Sequence, residues 1–513
     1  MGHRRIGCPD RPIFLFDWIW FYERGPRMTA VGMSRMTASH TKIVATVGPA
    51  SRSPECLVRL IEAGVDVFRI NTAHGQPAEH AETLDRIRQA SRQVGQPVAV
   101  LVDLAGPKIR LGEIPGGQLH CQMGQRVRFI RSNGPLLPGE LTTTYPQLID
   151  DLQVGDRLML ADGTVAMVVR SRSADYVECE VVQPGILRSR QGVNLPGVRL
   201  SLPALSEADT ASARWAAQQG VDFLGLSFVR RPEDVSMLRE LLRPYPSPPQ
   251  IVAKIEKPEA LQQLEAIVRA ADAVMVARGD LGVETDIAQI AIVQKQIVAA
   301  CRQWRRPVII ATQMLESMTN EQLPTRAEAT DVANAILDGA DACMLSAETA
   351  VGHNPVGAVE MMHRIALATE PFDRTYLPPT EEPAAEGLDP VTEATARAAG
   401  QLADQLEAKM LLVATATGAT ALCLSKYRFR VPVWGASPSE ATLRRMCLYW
   451  GVTPLPAAPT ENSTDLLAYA IQKGRQLGYL QSGDRVVLLT GSDVTGRTHN
   501  MIQVHTVSAG SLG

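Results

Sequence analysis

The 513-residue sequence contains no Cys-x-x-Cys pair, no long uninterrupted hydrophobic run and little net charge. Most of its eight cysteines lie in apolar segments, which is typical of reduced packing residues in a cytoplasmic protein. A net charge of −3 gives no indication of a nucleic-acid surface. Hydrophobic residues make up 45% of the chain and charged residues 20%, as in globular proteins with a large core, and the length predicts roughly three domains.

The first 40 residues are an unusual segment. Their apolar run Ile13–Tyr22 is interrupted by Asp17 and is too short to span a bilayer. Basic residues precede this run, but no clean signal-peptide cleavage site follows it. Three methionines lie just upstream of the first predicted strand, namely Met28, Met33 and Met36. We expect translation to start at one of them and residues 1–40 to be an extension that is unordered or never made.

Eight short apolar segments alternate with helical patterns along most of the chain. Such segments are typical of strands that are buried on both faces of a parallel sheet. They are Lys42–Val47, Val65–Ile70, Val98–Leu104, Val221–Phe228, Gln250–Ile255, Ala273–Ala277, Pro307–Ala311 and Ala342–Leu345. Amphipathic stretches such as Ala260–Ala270 and Ile287–Trp304 lie between them. This alternation predicts a (β/α)8 TIM barrel, in which functional residues lie at the C-terminal ends of the strands.

The interval between the third and fourth segments is too long for a simple connection. From residue 108 to residue 204, short strands are separated by glycine and proline, which predicts a small inserted β-barrel domain. The clearest of these strands are Arg126–Ile130, Arg157–Leu160, Val165–Val169 and Tyr176–Val182. An insertion at the functional edge of a barrel is well placed to act as a lid. It leaves residues 41–107 and 205–372 as the two parts of the barrel domain.

A second α/β pattern follows a linker at residues 373–389 that is rich in proline and glutamate. Its predicted strands are Met410–Ala414, Val431–Gly435, Thr453–Leu455, Val486–Thr490 and Met501–Val507. The alternation predicts a doubly wound C-terminal α/β domain at residues 390–513. The predicted fold class is therefore α/β, with a TIM barrel, an inserted β-barrel lid domain and a doubly wound domain.

Charged residues lie at the ends of two neighbouring barrel strands. Lys254 and Glu256 are at the end of Gln250–Ile255, and Asp280 follows Ala273–Ala277. One edge of the sheet therefore receives an ammonium group and two carboxylates, which suits a divalent cation that holds an anionic substrate. The alternative is a surface cluster of salt bridges, but Gly279 allows a close backbone approach that such a cluster does not need.

Further polar residues follow other strands at the same predicted edge. They are Arg69, Asn71, His74, Asp103, Lys108, Arg110, Thr312 and Ser346. So many cations beside a metal site suit phosphates and carboxylates. Two of these residues have structural alternatives, since Ser346 is also placed to cap the following helix and His74 to be a structural histidine.

These segments resemble the pyruvate kinase family, in unbroken order over about residues 41–510. The matching segments are Thr41–Ser51, Asn71 and His74, Gly106-Pro107, Gly192–Gly197, the Lys254 and Asp280 motifs, Ala311–Met318, Pro324–Glu328, Ser425–Tyr427 and Leu448–Gly451. The resemblance implies an allosteric, cytoplasmic enzyme of glycolysis that transfers a phosphoryl group from phosphoenolpyruvate to ADP and gives pyruvate and ATP. It also implies a homotetramer, with which the apolar stretches Ile287–Trp304 and Leu402–Leu412 are compatible.

The resemblance implies a role for each residue at the predicted edge. Glu256 and Asp280 would hold Mg²⁺, for which Mn²⁺ would be a substitute. Lys254 and Arg69 would neutralise and grip the phosphoryl group. The substrate carboxylate would be seated by Gly279, Asp280 and Thr312. Thr312 and Ser346 would order the water chain that protonates enolpyruvate, and the nucleotide phosphates would face Thr46, Asn71, His74 and Arg110.

Three residues depart from the potassium site that many members of the family have. Ala73 replaces a serine, Leu104 replaces a threonine and Lys108 replaces a glutamate. A tethered ammonium can supply the single positive charge that K⁺ otherwise gives. We expect Lys108 to substitute for the ion, with Asn71 and Asp103 as its partners, so that K⁺ is not required. The alternative is a surface lysine in the hinge to the lid.

Two other departures concern the nucleotide and an effector. Gln191 stands where the family often has a lysine that contacts the nucleotide, and Arg190 is the cation placed to compensate. The segment with Thr415, Thr417, Gly418 and Thr420 resembles the family's phosphate-binding effector loop, for a sugar phosphate or a nucleotide. Ala419 replaces a frequent arginine in that loop, so we expect weak or altered effector binding.

Two alternative functions remain open at this stage. A Mg²⁺-dependent lyase acting on pyruvate enolates would use similar barrel carboxylates, although such lyases lack the lid and the C-terminal domain. A weakly active regulatory paralogue is supported only by Gln191 and Ala73. The retained site residues Lys254, Glu256, Asp280 and Thr312 argue against the paralogue.

Overall fold

The computed structural model describes residues 39–131, 135–161, 163–198, 201, 203–372, 388–491 and 498–509. The expectations for the N-terminal extension and for the linker at 373–389 therefore lie outside the described residues, apart from the last two positions of each. Of these positions, His40 packs its ring against Trp450 at 4.5 Å between centroids. Its N–H donates to the Glu370 carboxylate at 3.0 Å.

The chain begins with the first three strands of the barrel, separated by two helices. They are β1 (Lys42–Thr46), helix Pro54–Ala63, β2 (Val67–Asn71), helix Pro77–Val94 and β3 (Ala99–Asp103). Both helices have proline in the first turn and end at a glycine, Gly64 or Gly95, whose positive φ stops the helix. The apolar strands are buried along almost their whole length, because helices cover them from outside.

In the residues that the structure describes, the insertion between the third and fourth barrel strands contains eight short strands and one helical turn. They are β4 (Gln118–Cys121), β5 (Arg126–Ile130), β6 (Glu140–Leu141), helix Leu148–Asp151, β7 (Arg157–Leu160), β8 (Val165–Arg172), β9 (Tyr176–Gln183), β10 (Gly185–Arg188) and β11 (Val193–Asn194). Six form a sheet in the order β11-β7-β8-β9-β5-β6, and β10 pairs with β4. Alternate side chains of β9 are buried, so the insertion has an apolar core of its own.

The rest of the barrel follows, with five strands, nine helices and three 3₁₀ turns in its described residues. The strands are β12 (Phe223–Leu226), β13 (Gln250–Ile255), β14 (Ala273–Ala277), β15 (Val308–Ala311) and β16 (Ala342–Leu345). The helices are Glu207–Gln218, Pro232–Leu242, Pro258–Gln262, Leu264–Ala270, Arg278–Glu284, Ile290–Gln303, Arg326–Asp338, Ala347–Ala350 and Pro355–Thr369, and the 3₁₀ turns are Ile287–Gln289, Glu316–Thr319 and Glu370–Phe372. The eight strands close in the order β1-β16-β15-β14-β13-β12-β3-β2, all parallel, which confirms the predicted TIM barrel.

The described part of the C-terminal domain contains a five-stranded sheet and helices. Its elements are helix Pro390–Gln405, β17 (Met410–Ala414), helix Ala419–Lys426, β18 (Val433–Ala436), helix Glu440–Met446, β19 (Val452–Leu455), helix Ser463–Gln476, β20 (Arg485–Thr490) and β21 (Met501–Thr506). The strand order β19-β18-β17-β20-β21 reverses direction after β17, as in doubly wound sheets, so this prediction is also confirmed. Only β21 is antiparallel to its neighbour among these strands.

Buried charges join the barrel to the C-terminal domain. Asp222 is 1% exposed and accepts a hydrogen bond from Arg444 Nε at 2.7 Å. Asp341 pairs with Lys426 and, at 3.1 Å, with Arg428.

The seven cysteines in the described ranges are free thiols. Among the helices described, none combines the length and the apolar character that a bilayer crossing needs.

Candidate active site

Lys254 lies at the C-terminal end of β13 and is 8% exposed. Its ammonium is 3.0 Å from Glu256 Oε1 and 3.2 Å from Asp103 Oδ1. It also donates to Ser227 Oγ at 2.7 Å, and that hydroxyl donates to the C=O of Leu104 at 2.6 Å. Burial alone would lower the pKa of Lys254, but the carboxylates of Asp103 and Glu256 raise it above its usual value. The ammonium is therefore charged at neutral pH.

Asp103 is the common partner of two cations. Its Oδ2 accepts hydrogen bonds from Arg69 Nε at 2.8 Å and lies 2.7 Å from Arg69 Nη2, while its Oδ1 faces Lys254. Arg69 Nη1 donates to Thr46 Oγ1 at 3.1 Å. Burial favours protonation of Asp103, but Lys254 and Arg69 outweigh it and lower the pKa of Asp103. The sequence placed Asp103 at this edge of the barrel and named it as a partner of Lys108, but it did not pair Asp103 with Arg69 and Lys254, because strand ends do not reveal which charges pair.

The two predicted metal ligands are Glu256 and Asp280. Glu256 is 1% exposed and accepts from the N–H of Phe228 at 2.7 Å, where the chain has a left-handed φ of 54°. Asp280 lies in the first turn of helix Arg278–Glu284. Burial raises the pKa of Glu256, Lys254 opposes that shift, and the charge of Asp280 adds to it. A divalent cation would relieve this repulsion, so the two carboxylates fit one.

The metal fit also depends on the number of ligands. Within the described ranges, no three side chains of histidine, cysteine, aspartate or glutamate cluster as a metal site. Two carboxylates leave the other coordination positions to water and substrate oxygens, which is the usual arrangement for Mg²⁺. These two carboxylates would therefore suit a cation that is shared with a bound ligand.

Thr312 and Gly279 contact each other across the ends of β15 and β14. The N–H of Gly279 donates to Thr312 Oγ1 at 2.7 Å, and this hydroxyl donates to the C=O of Ala311 at 2.6 Å. A Cβ atom at Gly279 would lie 3.3 Å from Thr312 Oγ1, which is a tight contact. The close approach predicted from Gly279 is therefore made toward Thr312.

Ser346 follows β16 and precedes the short helix Ala347–Ala350. Its hydroxyl makes no capping bond to that helix, and among the described residues its buried Oγ has no hydrogen-bond partner. The carboxylate of Glu348 instead accepts from the N–H groups of Ser346 at 2.7 Å and Leu315 at 3.1 Å. No role was predicted for Glu348 from the sequence, although an acidic residue three positions after the end of β16 was the available signal.

The residues predicted to face the nucleotide each have a different partner. Thr46 contacts the guanidinium of Arg69 and lies within the site. Asn71 ends β2, and its Oδ1 accepts from the N–H of Ala73 at 3.1 Å. His74 is exposed, and its C=O lies 2.8 Å from His80 Nε2.

Arg110 lies at the start of the insertion. Its Nη1 donates to the C=O of Arg190 at 3.2 Å. The Arg190 guanidinium is paired with Glu113 at 2.6 Å, and Gln191 Oε1 accepts from the N–H of Arg188 at 2.7 Å. In this conformation the Arg190 guanidinium is engaged with Glu113, and the Gln191 side chain carries no charge. Neither side chain therefore offers the free cation that a lysine at position 191 would offer.

Lys108 is exposed at the hinge to the insertion. Its N–H donates to the C=O of Gly106 at 2.8 Å, and a Cβ atom at Gly192 would lie 3.3 Å from its Cε. Within the described ranges, no ion pair or side-chain hydrogen bond joins Lys108 to Asn71 or Asp103. The oxygens of Asp103 are instead occupied by Arg69 and Lys254.

Of the four residues of the predicted effector loop, Thr415, Thr417 and Gly418 lie between β17 and the next helix, and Thr420 lies in the first turn of that helix. Thr415 Oγ1 accepts from the N–H of Gly418 at 3.1 Å, and Gly418 has a φ of 88°. Thr417 Oγ1 accepts from the first N–H of the helix at 3.4 Å. Thr420 Oγ1 lies 3.4 Å from Nδ1 of His499, which the sequence did not single out. Such a turn of hydroxyls and backbone N–H groups is the kind of arrangement that binds anions.

Comparison with known proteins decides the family. Residues 38–359 match the pyruvate kinase barrel domain, and residues 393–505 match the pyruvate kinase alpha/beta domain. The chain belongs to the pyruvate kinase family. It is therefore an enzyme, a phosphotransferase, as predicted.

Individual members of the pyruvate kinase family are similar over most of their length. The pyruvate kinases of Geobacillus stearothermophilus and Corynebacterium glutamicum are each 40% identical over 91% of this chain, and the alignments cover 80% and 97% of those proteins. A pyruvate kinase from Cryptosporidium parvum superimposes with a TM-score of 0.84 at 31% identity, over 93% of this chain and 99% of that one.

Proposed function

We propose that this enzyme transfers the phosphoryl group of phosphoenolpyruvate to ADP in glycolysis and forms pyruvate and ATP. The observation that carries the proposal is the cluster of Lys254, Glu256, Asp103 and Arg69, joined by contacts of 2.7 to 3.2 Å. It combines two fixed cations with buried carboxylates at the C-terminal edge of a barrel. Phosphoryl transfer needs such a site, because catalysis depends on positioning and on neutralising phosphate charge.

Glu256 and Asp280 would hold Mg²⁺, for which Mn²⁺ would be a substitute. The ion supplies positive charge for the phosphoryl and enolate oxygens when it is bound. Lys254 donates to the same oxygens as negative charge develops on them. Arg69 uses three of its five N–H groups for Asp103 and Thr46, so two are left to grip the phosphate.

The substrate carboxylate is assigned to the backbone of Gly279 and Asp280 together with Thr312. The hydroxyl of Thr312 already accepts from Gly279, so we expect the carboxylate to compete with that bond. Enolpyruvate must then be protonated on carbon. Ser346 has the hydroxyl without a partner among the described residues, and with Thr312 it would order the water that delivers this proton.

The nucleotide phosphates are assigned to Thr46, Asn71, His74 and Arg110. Arg110 belongs to the insertion at residues 108–204, so its contribution requires this lid to close on the barrel. Because Gln191 carries no charge, we expect weaker binding of ADP than a lysine would give.

We also propose that Lys108 replaces K⁺, so that the enzyme works without this ion. Ala73 and Leu104 have no side-chain oxygens to bind K⁺. The Lys108 side chain is exposed at the hinge, so closure of the lid can bring its ammonium toward the barrel. One fixed positive charge there would take the place of the ion.

The test is the rate of pyruvate formation from phosphoenolpyruvate, ADP and Mg²⁺ in K⁺-free buffer, repeated after K⁺ is added. We expect full activity without K⁺ and a need for K⁺ in Lys108→Glu. The matched control is Lys409→Glu, which makes the same charge change at an exposed site in the C-terminal domain. Wild-type activity only with K⁺ would reject the role of Lys108 and keep the kinase.

The same assay separates the remaining alternatives. Pyruvate formation that does not depend on ADP would favour the lyase. No pyruvate under either condition would favour the regulatory paralogue, and Gln191→Lys would be the first variant to examine. ADP-dependent pyruvate formation would reject both.

Regulation and assembly complete the proposal. We assign a sugar phosphate, or alternatively a nucleotide, to the loop with Thr415, Thr417, Gly418 and Thr420. Because Ala419 offers no guanidinium, we expect weak or altered binding there. We further propose a homotetramer in the cytoplasm, where the free thiols described above remain reduced.

A further inference from the structure

Arg278 is a buried cation that none of the roles above uses. It directly precedes Gly279 and Asp280 and is 7% exposed. Its Nη2 donates to the C=O of Thr312 at 2.9 Å and to the C=O of Gln313 at 3.1 Å, and its Nε donates to the first of these oxygens at 3.3 Å. The guanidinium therefore reaches from the end of β14 to the loop that follows β15.

The two carbonyl groups that Arg278 binds belong to a strained turn. Thr312 has a φ of 68° and Gln313 a φ of 55°, and both lie in the left-handed region that favours glycine. Two consecutive residues of this kind, one of them β-branched, persist only where the surroundings hold them. Arg278 provides such a constraint, since it binds the backbone oxygen of each.

The other side of the guanidinium is anchored. Arg278 Nη1 lies 2.7 Å from Oδ2 of Asp331, on helix Arg326–Asp338, and 3.4 Å from Gln294 Oε1. All three of its nitrogens thus have partners, and the planar fork spans the strained turn and the helix at once. Lysine has one nitrogen and cannot reproduce this geometry.

We propose that Arg278 is a positioning residue that places the Thr312 hydroxyl at the substrate seat. Thr312 is held at two points by one short segment, because its C=O binds Arg278 and its Oγ1 accepts from the N–H of Gly279 at 2.7 Å. Release of the C=O would let the turn relax and move the hydroxyl. This inference rests on the proposed role of Thr312 in the reaction.

The test is a double-mutant cycle on kcat with Arg278→Lys, Thr312→Ala and the combined variant. We expect Arg278→Lys to lower kcat by about 10²-fold in the wild type, because small displacements of reacting groups have effects of that size. In the Thr312→Ala background, we expect the same change to cost less than about threefold, because there is no hydroxyl left to position. The KM for Mg²⁺ should change little, since Asp280 and Glu256 are retained.

Two measurements keep this proposal apart from a general loss of stability. Guanidinium added to Arg278→Ala should restore part of kcat, because the free cation can occupy the space left by the arginine side chain and bind the same carbonyl groups. Arg239→Lys is the matched control, since Arg239 also binds a carbonyl, that of Ala270, and a carboxylate, that of Asp272, but at the opposite end of the barrel. It should leave kcat unchanged.

The outcomes are distinct. Equal losses from Arg278→Lys in the two backgrounds, or a folded Arg278→Ala that guanidinium does not reactivate, would overturn the positioning role. Unchanged kcat in Thr312→Ala would instead overturn the proposed role of Thr312, and with it the basis of this inference. Absence of ADP-dependent pyruvate formation in the wild type would overturn the proposed function, and with it the reaction in which Arg278 is to position Thr312.

Discussion

Replacement of Asp103 by asparagine tests the carboxylate that joins Arg69 and Lys254, the two cations to which we assign catalytic roles. Asp103 is 1% exposed, binds Arg69 through Oδ2 at 2.7 and 2.8 Å, and has Lys254 Nζ 3.2 Å from Oδ1. Asparagine keeps the shape and one acceptor oxygen but removes the negative charge. Arg69 and Lys254 would then face a neutral neighbour.

The expected cost follows from the partners that each cation retains. Removal of one member of a buried ion pair costs about 3–5 kcal/mol, because the other charge is left uncompensated. Arg69 keeps Thr46, Lys254 keeps Glu256 at 3.0 Å, and their side chains are 12% and 10% exposed. We therefore expect the lower end, about 3 kcal/mol, which moves the urea midpoint by about 1 M if m is about 3 kcal/mol per M.

The sign of the pH dependence is also determined. The pKa of Asp103 is lowered in the folded enzyme, so its contribution to stability is complete above the unfolded pKa of about 3.9. That contribution is lost as the pH falls through the lower folded value. The difference in unfolding free energy between the wild type and Asp103→Asn should therefore be constant at neutral pH and shrink in acid.

Urea unfolding followed by circular dichroism measures the change in stability. The KM for phosphoenolpyruvate measures how much more weakly Arg69 binds the substrate phosphate. We expect kcat/KM to fall by roughly 10- to 100-fold, because Arg69 is no longer oriented. The matched control is Asp150→Asn, which removes an exposed carboxylate paired with Arg131 and should leave both readouts unchanged. A midpoint for Asp103→Asn equal to that of the control, with normal kcat/KM, would refute the reasoning.

Three further predictions concern neighbouring parts of the molecule. Because burial raises the pKa of Glu256, calorimetry should show Mg²⁺ affinity falling as the pH is lowered and Glu256 takes up a proton. The Glu256→Gln variant should bind Mg²⁺ weakly at every pH; parallel curves for the two proteins would contradict this. In Gly225→Ala the new Cβ would lie 2.7 Å from Asp103 Oδ1, so we expect a loss of about 1–3 kcal/mol in urea unfolding, and an unchanged midpoint would count against it. Arg444→Leu removes the 2.7 Å partner of the buried Asp222 and should cost about 2 kcal/mol, seen as a lower thermal midpoint; a midpoint equal to that of the wild type would disprove it.

The barrel strands could be predicted because each must be apolar on both faces. The strand Gln250–Ile255 has the predicted bounds. The strand predicted at Val221–Phe228 is shorter, because Ser227 and Phe228 leave the sheet to bind Lys254 and Glu256. Its end is determined by the site and not by hydrophobicity.

Helix ends and turns were less accessible to prediction. The amphipathic stretch Ala260–Ala270 is divided at Gln263 into two short helices. The left-handed turn at Thr312 and Gln313 contains no glycine that would predict it from the sequence. It is supported instead by tertiary contacts from Arg278. Local preference alone would place neither residue there.

The sequence by itself determined which residues reach the C-terminal edge of the barrel. The period of apolar segments assigns strand ends, and parallel strands present those ends together, so Lys254, Glu256, Asp280 and Thr312 were identifiable from pattern alone. Only the tertiary structure decided how these side chains pair. Asp103 binds two cations and Lys108 binds neither Asn71 nor Asp103, because such contacts depend on distances of a few ångströms between segments far apart in the chain.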